Sequence, residues 1–87
     1  MQIQRVIAHN LRKLRVAKGL SQETLAVDAG IDRTYVSRLE RGLENPTVAV
    51  LERLAGALSA QITDFFVTPR AGEKFPEPLR GGRKPSR

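Results

Sequence analysis

The sequence has no cysteine and a single histidine, His9. The first absence excludes disulfides and thiolate metal sites, and fits a reducing compartment. The second argues against a histidine-based metal site or a catalytic triad. Aromatic residues are sparse as well, with no Trp, one Tyr and three Phe. No apolar run approaches the roughly 18 residues needed to cross a bilayer. The opening residues, MQIQRVIAHNLRK, lack the basic, then apolar, then small-residue order of a secretory signal. These absences lead to the expectation of a soluble, cytoplasmic protein. With 87 residues it has room for one domain and a modest core.

What is present is positive charge, unevenly spread. The net charge is +6. Residues 1–68 hold nine Lys/Arg against seven Asp/Glu, whereas residues 69–87 hold six against two. Basicity favours a polyanionic partner, usually nucleic acid. Here most of it belongs to residues 69–87, which also contain four Pro and three Gly. That segment has too little apolar surface to offset its ordering entropy, so it is expected to be a disordered basic tail. The expected division is therefore a domain over 1–68 and a tail over 69–87.

Within the domain the apolar spacing is helical throughout, with no strand-like alternation. Ile3, Ile7, Leu11 and Leu14 form one stripe, and Gly19 closes a helix predicted from Ile3 to Lys18. Ser21 caps a second, short helix with Leu25, Ala26 and Ala29 on its apolar side, ended by Gly30. Asp32 caps a third, carrying Val36 and Leu39, which stops by Gly42. After the Asn45-Pro46 turn, Thr47 caps a fourth with Val48, Leu51, Leu54, Ala55 and Leu58. Gly56 inside it suggests a close helix–helix approach. Ile62, Phe65 and Phe66 predict a short fifth helix that closes the core.

Two short helices joined by Gly30-Ile31-Asp32 make a helix-turn-helix. The spacing is restrictive. Ala26, the fifth residue from Gln22, is small where the helices cross, and Gly30, the ninth, lies in the turn. Leu25, Ala29, Ile31, Val36 and Leu39 supply the inward positions around them. From Val6 to Phe66 the chain resembles the Xre/Cro family of phage-repressor-like regulators. The resemblance rests on Gly19-Leu20-Ser21-Gln22-Glu23, Leu25-Ala26, Ala29-Gly30-Ile31, Val36-Ser37-Arg38-Leu39-Glu40-Arg41-Gly42 and Asn45-Pro46-Thr47. It implies an all-α, compact five-helix bundle of the lambda-repressor-like DNA-binding type, in agreement with the helix count.

At about 100° per residue, Val36 and Leu39 define the core side of the third helix. The opposite arc holds Arg33, Thr34, Ser37, Arg38 and Arg41. Arginine can bond guanine through two hydrogen bonds, and threonine can meet a thymine methyl, in a major groove. Arg33, Thr34, Ser37 and Arg38 are the base-reading candidates. Backbone candidates are Gln22, at a helix N-terminus where the dipole favours phosphate, together with Tyr35, Arg41 and Asn45. The resemblance implies the phosphate role of Gln22 and the loop contact at Asn45. Glu44, in that same loop, departs from the family's basic or polar residues and would repel phosphate unless turned away. The resemblance also pairs Glu40 with Arg15 as a structural salt bridge. It assigns dimer contacts to the last helix, for which Ile62, Phe65 and Phe66 are candidates, although at least one Phe must fill the core. Arg5, Arg12 and Lys18 read as solvated charges, and His9 as an ordinary surface residue.

No carboxylate pair or activated nucleophile stands out, so no enzyme, cofactor, metal or small-molecule ligand is expected. The expected partner is double-stranded DNA, bound by a homodimer as a transcriptional repressor or autoregulator. The alternative is a protein-interaction module, an antitoxin or anti-regulator, engaging a protein partner through Phe75-Pro76-Glu77-Pro78-Leu79 in the tail.

Overall fold

The computed structural model describes residues 2–69. Four α-helices follow one another: α1 (Ile3–Lys18), α2 (Gln22–Ala29), α3 (Arg33–Glu40) and α4 (Val48–Leu58), ahead of a 3-10 helix (Ile62–Phe66). Among the described residues there is no strand. The basic segment 70–87, with the Phe75–Leu79 peptide, lies outside the described residues.

Local chemistry sets the helix starts. The amide of Thr24 donates to Ser21 Oγ at 3.0 Å, that of Thr34 to Asp32 Oδ2 at 2.9 Å, and that of Val50 to Thr47 Oγ1 at 3.1 Å. Each bond satisfies an amide that the first turn leaves without a helical partner. Between α2 and α3 the chain turns at Gly30, whose φ of 72° lies in the left-handed region that a side chain disfavours. The amide of Ile31 returns to the carbonyl of Ala26 at 2.9 Å, closing the turn.

The core gathers Leu11, Leu25, Val36, Leu39, Leu54 and Phe65, with Ala26 buried beside them. α1 packs on α3 and on the 3-10 helix, and α2 packs on α3 and α4. Because α1 is covered from several sides, every residue from Val6 to Leu11 is buried. His9, expected at the surface, is therefore inside, at 2% exposure. A single apolar stripe reveals only one covered face of a helix, and here there are more. The stripe also overextends at its start, since Ile3 is 53% exposed.

Two further expectations need correcting. The fifth element is a 3-10 helix and not an α-helix. It spans five residues, and its start is fixed by Gln61 and Asp64, with the Gln61 amide donating to Asp64 Oδ2 at 2.9 Å. Its far end is tied down by the buried Asn10 side chain, which donates to the carbonyls of Phe65 at 2.8 Å and Val67 at 2.9 Å. Gly56, expected to permit a close helix approach, is exposed, and a Cβ built there meets nothing within 4 Å among the described residues. Its place in α4 thus carries the entropic cost of glycine without a packing return. Gly56→Ala is expected to raise stability by about 1 kcal/mol. For a domain of this size the thermal midpoint should rise by roughly 4–8 °C. A lower midpoint would mean that α4 meets a neighbour at Gly56 after all.

Candidate nucleic-acid interface

α3 presents two unlike sides. Val36, Leu39 and Glu40 are buried, while Arg33, Thr34 and Arg38 are exposed and Ser37 is half-buried. Arg41, immediately past the helix, and Asn45, in the loop before α4, are exposed as well. Tyr35 is half-buried and packs against the core. Burial, and then the nearby charge of Glu44, push its phenol above the ordinary tyrosine value. The phenol therefore remains protonated at neutral pH and can donate a hydrogen bond.

Behind this face lies a buried polar network centred on Glu40. Its carboxylate accepts from Arg15 through Nε and through Nη2, the latter at 2.9 Å. It also accepts from Arg12 Nε at 3.3 Å and from Gln22 Nε2 at 3.1 Å. Arg15 spends a further donor, Nη1, on the carbonyl of Leu20 at 2.8 Å. The side chains of Arg15 and Glu40 are 2% and 0% exposed. One carboxylate on α3 is thus held by two side chains of α1 and one of α2, which fixes how the exposed arc of α3 is presented.

The network changes the reading of two residues. Arg12 is a half-buried member of the cluster, not a solvated charge. Its position three residues before Arg15 places both on one face of α1, a signal available from spacing alone. Gln22, the backbone candidate at the start of α2, gives its amide to Glu40. The second N–H of its side-chain amide and the backbone amides of the first turn of α2 remain as its means of meeting a phosphate.

A second pair lies on the exposed face. Arg38 Nε donates to Glu44 Oε2 at 2.7 Å. Glu44, expected to oppose phosphate, is turned toward a base-reading candidate. Sequence spacing offers no rule for this contact, because the chain changes direction between the two residues.

The expected dimer residues separate. Phe65 is fully buried in the core of its own chain, so it is not available to a second copy. Phe66 is 42% exposed, next to Val67 at 58%, and Ile62 is partly buried. Among the described residues no group of His, Asp or Glu has a metal-binding arrangement, and no helix is long and apolar enough to cross a membrane.

Residues 11–65 match the model of a protein family described as helix-turn-helix. A hypothetical transcription factor of Neisseria meningitidis is 43% identical over 65 residues, 75% of this chain but only 61% of that protein. A crystal structure of a hypothetical transcription factor from Neisseria superposes with a TM-score of 0.75 at 41% identity, covering 78% of each chain. The restriction-modification controller protein C.AhdI of Aeromonas hydrophila superposes with a TM-score of 0.71 at 44% identity, over 72% of this chain and 96% of that one. Another controller protein, crystallised as a tetramer with its natural 35-base-pair operator, gives a TM-score of 0.69 at 33% identity, over 76% and 87% of the two chains.

Proposed function

The chain belongs to the helix-turn-helix family, and from that premise we propose that it is a sequence-specific DNA-binding transcriptional regulator, a repressor or autoregulator. The observation that carries this reading is the exposed arc of α3, where Arg33, Thr34 and Arg38 face outward from a helix whose other side is locked into the core. α3 enters the major groove with its N-terminal end toward the bases. Arg33, Thr34 and Arg38 read base edges, and Ser37 supports them. Arg41, Asn45, Tyr35 and the start of α2 at Gln22 meet the phosphate backbone, which sets register without reading sequence. The controller protein held on its operator supports this assignment by likeness of fold and sequence.

A single module of this size binds weakly, so two copies act on a pseudo-palindrome. The exposed Phe66, with the partly buried Ile62, supplies the apolar contact between them. Selection of bound fragments from random double-stranded DNA is expected to return two inverted half-sites. Their centres should lie about one helical turn, roughly 34 Å, apart, and two chains should be found per duplex by mass. A recovered motif without symmetry, bound by one chain, would exclude the dimeric reading. Recovery of no motif would exclude sequence-specific binding.

A further inference from the structure

The Arg38–Glu44 pair lies on the reading face itself, and nothing in the fold requires it. The two side chains are 44% and 28% exposed, and an ion pair so open to water adds little stability. An acid in a loop that faces DNA also repels phosphates, which lowers affinity. The pair therefore needs a reason outside folding and outside raw affinity.

The geometry supplies one. A guanidinium is a planar fork of five N–H donors. Glu44 engages Arg38 at Nε. The bond orients the plane and leaves the two terminal amino groups, the pair that can span the O6 and N7 acceptors of guanine. Holding the fork before DNA arrives also removes some of the rotamer freedom that binding would otherwise have to quench. The bond itself holds the Glu44 carboxylate beside α3, near enough to Tyr35 for its charge to add to the upward push on that phenol.

We propose that Glu44 is a positioning residue for Arg38. It holds the guanidinium for one base pair of each half-site, and its charge weakens binding to DNA that offers Arg38 no partner. The inference rests on the base-reading role of Arg38 proposed above. It predicts that affinity and discrimination move in opposite directions when Glu44 is neutralised.

The test uses the full chain, with Arg38→Ala, Glu44→Gln, Glu44→Asp and the double variant Arg38→Ala/Glu44→Gln. Base preference at each operator position and affinity for an unrelated duplex are measured for all of them, alongside thermal melting. Arg38→Ala is expected to erase preference at one base pair of the half-site. Glu44→Gln should lower preference at that same pair by roughly threefold or more, a fraction of what a two-bond Arg–guanine contact supplies. It should leave the other positions intact and tighten binding to the unrelated duplex. The double variant should lose no more preference than Arg38→Ala, and Glu44→Asp should recover part of the loss. Melting should be alike throughout, so that a folding effect is not mistaken for positioning. Full preference retained in Glu44→Gln, with Arg38→Ala still erasing it, would overturn the positioning role and leave base reading standing. No loss in Arg38→Ala would overturn both.

Discussion

Glu40→Ala is expected to cost about 3–5 kcal/mol of folding stability, the range for removing one member of a buried ion pair. The variant leaves Arg15 with its charge inside the protein and, among the described residues, only the Leu20 carbonyl as its side-chain partner. Arg12 and Gln22 lose their shared acceptor in the same step. Native domains are stable by only about 5–15 kcal/mol, so a chain this small should be largely unfolded or close to it at physiological temperature. Urea denaturation gives the number directly. The control is the joint replacement Arg15→Met with Glu40→Leu. With both charges removed, its cost should be far below that of Glu40→Ala. A loss under about 1 kcal/mol in Glu40→Ala would mean that the carboxylate is not the anchor its four hydrogen bonds indicate.

The second large effect is on DNA and not on folding. Arg38→Ala should reduce discrimination at one base pair per half-site by about 1–3 kcal/mol, roughly 5- to 150-fold, while leaving the other positions unchanged. Because the Arg38 side chain is 44% exposed, stability should change by no more than about 0.5 kcal/mol. Gln22→Ala offers the contrast. A backbone contact carries no base information, so binding should weaken by a similar factor at every site. Competition binding with operators altered one base pair at a time distinguishes the two patterns. Uniform weakening by Arg38→Ala would make it a phosphate contact.

The parts of the fold most legible in the sequence are those governed by local chemistry. Ser21, Asp32 and Thr47 each accept the amide bond that their place before an apolar run predicts. Val36 and Leu39 define the buried side of α3, so the exposed arc could be drawn from helical geometry alone. The ion pair of Arg15 and Glu40 was implied by the family resemblance, and no spacing argument joins residues 25 positions apart. The rest was hidden for a common reason: it depends on where several elements converge. His9 is buried because α1 is covered from more than one side. Gly56 faces open space because, among the described residues, no element packs on that part of α4. Phe65 turns inward and Phe66 outward in a 3-10 segment held by Asn10, a residue 55 positions earlier. Glu44, an acid that looked out of place near DNA, is aimed at an arginine by a change of chain direction.

If α3 reads base edges from the major groove, operators in which single base atoms are removed will reveal it. Replacing guanine by 7-deazaguanine removes the N7 acceptor of the major groove, whereas replacing it by inosine removes the amino donor of the minor groove. With the selected operator, 7-deazaguanine at the Arg38 position should weaken binding by the wild-type chain and have no effect on Arg38→Ala, and inosine there should leave both unchanged. Binding that is sensitive to inosine and indifferent to 7-deazaguanine would rule out major-groove reading by α3, because the recognition surface would then lie in the other groove.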